Sequence, residues 1–226
     1  MIPRLTVRRT LCAAGALALL LAACRKDETV PVDLGHGYFP VERGAWVEYL
    51  VDSSWSFEPI GISGSLRYRL REVVDSVYTD PEGRMAQRIE RFVWDTLSND
   101  WRIKDVWTQT RQSTYAERTE EDVRLLKLTF PVKTGERWNL NAVNSLRDME
   151  VGYDVVDVPW QHGSLSFDST ALVRNYYPNN QVDTLIYRER YAKNVGLVER
   201  MRDTSNTQVN GTNGWYFRQV ITAYGD

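Results

Sequence analysis

The sequence predicts a mainly β protein, built as a single strongly curved antiparallel sheet, a half-barrel or barrel, with at most one or two short helices. Aromatic residues make up 12% of the 226 residues, including eight Trp and twelve Tyr, and such side chains favour strands. Several segments alternate polar and apolar residues with a period of two. Turn sequences separate these segments at short intervals, which is typical of a meander.

The clearest strand begins at Leu66. Leu66, Tyr68 and Leu70 fall on one face of this segment, and the arginines that follow each of them fall on the other. This alternation is the pattern of a half-buried strand. Val73 and Val74 break the phase, so we expect a β-bulge at this point.

Turn sequences predict the hairpins that follow. Asp80–Gly83 combines Pro and Gly between two β-rich segments, and Ser98–Asp100 and Glu120–Asp122 separate the next ones. The sequence also permits a short helix at residues 141–150. Further strands are expected at residues 151–158, 165–177, 184–191, 197–202 and 215–224.

Wide antiparallel sheets twist, and the twist accumulates from strand to strand. Roughly ten strands in one chain therefore curl or close rather than lie flat, which predicts the half-barrel or barrel. Within this sheet the segment Tyr187–Tyr191 alternates aromatic and charged residues. We expect it at an edge or on a solvated face.

The first 23 residues differ from the rest of the chain. Arg4, Arg8 and Arg9 precede an almost unbroken apolar run from Leu11 to Ala23. The run has about 13 residues, whereas a helix needs about 20 to cross a bilayer. Residues 1–23 are therefore predicted to be a secretory signal peptide.

The end of this run, Leu21-Ala22-Ala23-Cys24, resembles the lipobox of bacterial lipoproteins. The resemblance implies that the chain is cut before Cys24 and that this residue carries acyl chains such as palmitate. Two or three acyl chains hold a protein firmly at a membrane. We expect the membrane and the lipoprotein processing and export machinery as partners, a flexible tether over residues 24–37 and one β-rich domain over residues 38–226.

Lys26, Asp27 and Glu28 lie just after this cysteine. They resemble the export signal of surface-exposed lipoproteins in the Bacteroidota. The resemblance implies a lipid-anchored protein of the outer membrane that is exposed at the cell surface. The alternatives are a tether that is merely charged and a position on the periplasmic face.

A short cassette occurs twice in the sequence. Phe39–Trp46 and Phe130–Trp138 both combine an aromatic residue, a proline, a glycine and a tryptophan. We expect Trp46 and Trp138 to fill the core rather than to bind a ligand. Together with Tyr191–Val198, the cassettes resemble a group of uncharacterised Bacteroidota lipoproteins, and this resemblance implies no activity.

Enzyme chemistry has little support in the sequence. The two histidines, His36 and His162, belong to no metal-binding or catalytic motif. Cys12 leaves with the signal peptide and Cys24 would be a thioether, so no free thiol remains. We expect no metal, no cofactor and no catalytic residue. The acidic cluster Glu120–Asp122 is interpreted as a solvated turn. The alternative is that two of the carboxylates form a catalytic pair like that of a glycosidase.

Four triplets resemble the O-glycosylation acceptor of exported Bacteroidota proteins, which is an Asp, then a Ser or Thr, then an apolar residue. The resemblance implies glycans on Ser76, Thr96, Ser169 and Thr184. Such glycans need exposed positions. The alternative is that Asp followed by Ser or Thr marks a junction between a turn and a strand.

Charge and composition limit the classes of partner and function that fit the sequence. Removal of residues 1–23 takes away three arginines and no acid, so the formal net charge falls from −2 to −5. This charge argues against a nucleic-acid partner. We expect a non-enzymatic envelope lipoprotein that binds a glycan, peptide or protein through an aromatic face. The alternative is a periplasmic lipid or lipoprotein carrier with an apolar cavity, and a surface hydrolase comes third.

Overall fold

The computed structural model describes residues 32–226. Two short 3₁₀ helices, His36–Tyr38 and Glu58–Ile60, accompany the strands. No helix in this described range is long and apolar enough to cross a membrane. The predicted fold class is confirmed. The strands are β1 Trp46–Phe57, β2 Ile62–Thr79, β3 Met85–Asp95, β4 Asp100–Arg111, β5 Tyr115–Glu120, β6 Val123–Thr129, β7 Arg137–Asn139, β8 Glu150–His162, β9 Leu165–Asn175, β10 Asp183–Ala192, β11 Gly196–Gln208 and β12 Gly211–Gly225.

All twelve strands belong to one antiparallel sheet, in the order β6-β5-β4-β3-β2-β1-β12-β11-β10-β9-β8-β7. Consecutive strands are neighbours everywhere except at β6 and β7, and the first strand pairs with the last. In such a meander the turns after odd-numbered strands lie at one end of the sheet, and those after even-numbered strands lie at the other. We name these the open end and the closed end.

Bulges curve the sheet. A bulge adds a residue to one strand of a pair and increases the local twist. The bulge predicted at Val73 and Val74 lies one residue further along the chain. Three register shifts fall along β8, and five others lie at Glu48/Tyr49, Val74/Ser76, Arg91/Phe92, Ala116/Glu117 and Arg190/Tyr191.

The two edge strands, β6 and β7, meet across a seam. Leu126 of β6 donates its N–H to the Leu140 carbonyl at 2.9 Å, and its own carbonyl accepts a bond from Trp138 Nε1 at 2.8 Å. Nearby, the Tyr153 hydroxyl donates to the Thr129 carbonyl at 2.7 Å. Because these are isolated bonds rather than a ladder, the sheet is nearly closed into a barrel.

The N-terminal segment fills the closed end. Tyr38 and Phe39 are 1% and 2% exposed and belong to the largest core cluster, which also takes residues from β5 to β11. Arg111 Nη1 donates to the carbonyls of His36 and Phe39, at 3.0 and 2.8 Å, and so fixes this segment against β4. The last residues of the predicted tether, 33–37, therefore lie within the compact unit Asp33–Asp226.

The three predicted hairpin turns are confirmed. In the first, the Asp80 carboxylate accepts bonds from the backbone N–H groups of Glu82 and Arg84, at 2.9 and 2.8 Å. Asn99 in the second turn and Asp122 in the third have positive φ angles of 51° and 63°. Asn and Asp tolerate this conformation better than most residues.

The short helix allowed at residues 141–150 does not form, and this stretch is a run of turns. Asn141 Nδ2 donates to the Arg147 carbonyl at 2.6 Å, and Asn144 Nδ2 donates to the Arg124 carbonyl at 2.7 Å. Side-chain amides that bind nearby backbone in this way compete with helix formation.

The segment Tyr187–Tyr191 is predicted at an edge or on a solvated face. It lies in β10, which has strand neighbours on both sides, so the predicted edge position is wrong. One face of the segment is solvated and carries the exposed Arg188. The other face carries Tyr187, Glu189 and Tyr191, which are 6%, 1% and 1% exposed and lie inside the sheet.

The two cassettes have different environments. Trp138 is buried in the largest core cluster, as predicted. Trp46 is only half-buried, and its ring centroid lies 5.1 Å from the Arg71 guanidinium on the outer face of the sheet. The prediction that Trp46 fills the core is therefore wrong.

Candidate functional site

A cavity occupies the interior of the sheet at the open end. Its volume is about 1380 Å³, which exceeds the range of about 300–1,000 Å³ that is usual for small-molecule sites. Its mouth is formed by Glu121, by the loop after β7 and by the loop after β9. The strands form its wall, and a layer of charged residues forms its floor.

The wall is aromatic and aliphatic. Its residues point inwards because every second residue of a strand faces the same side of the sheet. Trp215 and Phe217, two positions apart on β12, stack with ring centroids 5.7 Å apart. The wall therefore offers flat apolar surfaces to a ligand. Its aromatic and aliphatic members include Phe57, Tyr68, Leu125, Leu140, Met149, Tyr187, Trp215 and Phe217.

The first part of the floor centres on Lys127 of β6. Its Nζ donates to Glu189 at 2.5 Å and to the Tyr187 hydroxyl at 2.9 Å. Arg200 of β11 donates to the same Glu189 carboxylate at 2.7 Å and to Glu120 at 2.6 Å. Side chains of β5 and β6 are thus joined to side chains of β10 and β11 across the interior of the sheet.

The second part of the floor centres on Arg91 of β3. It donates to Glu72 at 3.0 Å and to Asp105 at 2.9 Å. Arg118 of β5 donates to the other oxygen of Glu72 at 3.1 Å. The Arg91 guanidinium also lies 3.4 Å from the ring centroid of Trp107, a close cation–π contact.

The charges of this floor balance. Burial alone raises the pKa of Glu120 and Glu189, but the charges of Arg200 and Lys127 outweigh it, so both pKa values lie below the ordinary value. These carboxylates are therefore ionised at neutral pH. The four cations are Arg91, Arg118, Lys127 and Arg200, and the four carboxylates are Glu72, Asp105, Glu120 and Glu189.

Some polar atoms of the interior have no hydrogen-bond partner in the described part of the protein. They include Gln87 Oε1, Trp107 Nε1, Arg118 Nε and both amide atoms of Gln219, all of them buried. Buried polar groups without partners are costly and uncommon. The interior therefore has donors and acceptors that the neighbouring side chains do not satisfy.

A second aromatic group lies on the outer face of β1 to β4. The Arg69 guanidinium lies 4.9 Å from the ring of Trp94 and 5.1 Å from that of Trp101. Arg71 lies 4.5 Å from the same Trp101 ring and 5.1 Å from Trp46. Arginines therefore cover the tryptophan rings of this outer face.

The predicted lipidation site Cys24 and the predicted export signal Lys26, Asp27 and Glu28 lie outside the described residues. They remain predictions. The chain that follows them enters the compact unit at Asp33, next to the closed end. Leu34, whose carbonyl accepts a bond from the Val132 N–H, lies at the end of the sheet opposite to the cavity mouth.

The four predicted glycosylation sites have different environments. Thr96 is exposed in the turn after β3. Ser76 donates to the neighbouring Asp75 carboxylate at 2.9 Å, and Thr184 lines the cavity. The Ser169 hydroxyl lies 2.7 Å from the Tyr38 hydroxyl and 2.8 Å from Asp157, so a glycan there would break this contact.

The histidines lie far from the cavity. His36 stacks edge-on against Phe130 at the closed end, and His162 stacks on Trp160 at the end of β8. Within residues 32–226 no group of three or more His, Cys, Asp or Glu side chains is placed to hold a metal ion.

Sequence reasoning missed the floor of the cavity. Glu120 was interpreted as part of a solvated turn, yet it is the last residue of β5 and points inwards to Arg200. The Tyr-x-Glu-x-Tyr alternation of β10 carries a usable signal. Two tyrosines that share a strand face with a carboxylate indicate a buried polar side chain that needs a cation.

Comparisons with known proteins add little to this geometry. No family model and no curated protein matches the chain. The chain is similar to a crystal structure from Parabacteroides distasonis ATCC 8503 described as a "putative lipoprotein". The identity is 13% and the TM-score is 0.38, over 87% of this chain and 100% of that one. The function must therefore follow from the residues of the chain itself.

We predict that Glu189→Gln lowers the free energy of unfolding by about 3 kcal/mol, because it leaves buried Lys127 and Arg200 with one carboxylate fewer. The control is Glu199→Gln, which removes a more exposed partner of Arg218 on the outer face and should cost less than about 1 kcal/mol. Urea unfolding at pH 7 measures both values. Equal losses in the two variants would contradict a special role for the buried network.

The lowered pKa of Glu189 also predicts a pH dependence. Its ordinary pKa is 4.5. Below about that pH the unfolded chain takes up a proton that the folded chain does not, so the free energy of unfolding falls as the pH falls. Unfolding measured between pH 7 and pH 3 should show a shallower fall for Glu189→Gln than for the unchanged protein. Identical slopes would show that this carboxylate gains nothing from its partners.

Proposed function

We propose that this protein is a non-enzymatic, lipid-anchored lipoprotein of the outer membrane, exposed at the cell surface, that binds a ligand inside its sheet. The observation that carries the ligand-binding proposal is the cavity of about 1380 Å³ at the open end. Its aromatic wall and charged floor combine apolar contact area with polar groups that fix orientation, which is typical of ligand sites.

The state of the carboxylates supports a non-enzymatic function. A glycosidase needs one carboxyl group that is protonated near neutral pH. Glu120 and Glu189, the carboxylates at the floor, are instead held ionised by Lys127 and Arg200. Their oxygens are also engaged by these cations. Groups fixed in this way serve to build the floor rather than to transfer protons.

The lipobox ending at Cys24 supports the anchor, and the charged residues that follow it support export to the surface. The described chain begins at the closed end of the sheet, and the cavity opens at the other end.

A second candidate function is that of a lipid carrier. The aliphatic residues Leu125, Leu140 and Met149 in the wall favour it, whereas the charged floor is a poor partner for an alkyl chain. Native mass spectrometry of the protein purified from its own membrane separates the two candidates. A lipid bound in one-to-one ratio would favour the carrier.

We predict that the uncharged dye N-phenyl-1-naphthylamine binds in the cavity at one site. Trp215→Ala should weaken this binding about fivefold, because a stacked aromatic contact contributes on the order of 1 kcal/mol. Trp94→Ala removes a tryptophan from the outer face and should leave binding unchanged. Fluorescence titration measures both affinities. If the unchanged protein shows no saturable binding, the proposed ligand-binding function is wrong.

Protease treatment of intact cells tests the proposed location. We expect the unchanged protein to be digested and a variant with alanine at residues 26–28 to be protected, because the charged residues direct export to the surface. A variant with alanine at residues 29–31 is the matched control and should be digested. Protection of the unchanged protein would place it on the periplasmic side instead.

A further inference from the structure

We propose that Arg202 is an anion-binding residue within the cavity and that the ligand is an amphipathic organic anion with a flat apolar body. This inference rests on the proposed ligand-binding function of the cavity. It assigns the class of ligand and the residue that selects it.

Arg202 is an exposed residue of the cavity wall, and unlike the buried cations of the floor it has no ion-pair partner among the described residues. Arg91, Lys127 and Arg200 each form ion pairs with buried carboxylates. Arg202 lines the same cavity, but no carboxylate of the described residues lies within 4.0 Å of it. Arg147 also has no ion pair, but it lies on the loop after β7 at the mouth.

The neighbours of Arg202 are aromatic. In the register of the sheet it is flanked by Tyr187 on β10 and Phe217 on β12. Its guanidinium lies 5.7 Å from the ring centroid of Trp215. A guanidinium held against aromatic rings keeps its N–H groups free for a planar anion such as a carboxylate or sulfonate.

The position of Arg202 along β11 sets the depth of the proposed anion site within the cavity. Arg200 belongs to the floor, and Arg202 is the next inward-facing residue towards the open end, about 7 Å further along the strand. Since the floor charges neutralise one another, Arg202 provides the unbalanced positive charge of the wall above them. An anionic group bound here places an attached flat body against Trp215 and Phe217.

The charge of the cavity mouth is compatible with an anionic group bound at Arg202. Glu121, Asp148, Glu150 and Asp183 line the outer part of the cavity, and Glu120 is paired with Arg200 and Lys127 in the floor. A ligand with one anionic group therefore has its most favourable position at Arg202, away from the carboxylates of the mouth.

A matched pair of dyes tests the proposal. The dye 8-anilinonaphthalene-1-sulfonate has the skeleton of N-phenyl-1-naphthylamine with an added sulfonate. We expect the unchanged protein to bind the sulfonate about tenfold more tightly than the uncharged dye, as a charge-assisted hydrogen bond provides. Arg202→Gln should abolish this difference between the two dyes.

The control is Arg188→Gln. Arg188 lies on the neighbouring strand β10, is exposed, and faces away from the cavity. This variant should keep the tenfold preference for the sulfonate. If Arg202→Gln keeps it as well, or if the unchanged protein shows no preference, the assignment of Arg202 is wrong while the cavity remains a ligand site. Failure of both dyes to bind would instead overturn the proposed function itself.

Competition identifies the source of the anion. Naphthalene-1-carboxylate represents compact aromatic acids, and oleate represents lipid acids. Displacement of the bound sulfonate dye by naphthalene-1-carboxylate, weakened about tenfold in Arg202→Gln, supports the proposal. Displacement by oleate and not by naphthalene-1-carboxylate would overturn the assignment of a ligand with a flat apolar body.

Discussion

The structure depends on the ion network that crosses its interior. Lys127 of β6 is buried inside the nearly closed sheet and needs carboxylates close to its ammonium group. Glu189 of β10 reaches it from across the interior and Glu120 from the neighbouring strand β5, and Arg200 joins these two carboxylates. The network fixes β5 and β6 relative to β10 and β11. It also divides the interior into an apolar core towards the closed end and a cavity towards the open end.

The fold class was predictable because it rests on local patterns. Alternation from Leu66 to Leu70 identifies a strand, and Asp80–Gly83 identifies a turn, from neighbouring residues alone. The floor of the cavity was not predictable in the same way. Alternation separates the two faces of a strand, but it does not say which face is inside. On β10 the face that carries Glu189 is inside because the sheet curls so that this face meets Lys127 of β6, and that curl depends on the whole chain.

The repeated cassette shows how far one local sequence determines its surroundings. Both copies make a glycine turn with positive φ, at Gly44 and Gly135, and both lead into a strand that begins at or next to the tryptophan. Trp138 meets the core because β7 lies at the seam, where its Nε1 binds the Leu126 carbonyl. Trp46 opens β1 in the middle of the sheet and packs on Arg71 outside. The cassette determines the glycine turn. The position of its strand in the sheet determines whether the tryptophan ring is buried in the core or lies on the outer face.

The hydrogen bonds at the seam between β6 and β7 affect how neighbouring copies of the protein can pair. An open sheet presents edge strands whose free N–H and C=O groups can pair with another molecule. Here the β6 edge is occupied by Leu140 and Trp138 at Leu126 and by Asn144 at the Arg124 carbonyl. A lipid anchor would concentrate many copies of the protein in two dimensions, where edge-to-edge pairing is a hazard. The occupied edge protects such a population from polymerising, so the bonds that close the sheet also keep neighbouring molecules separate.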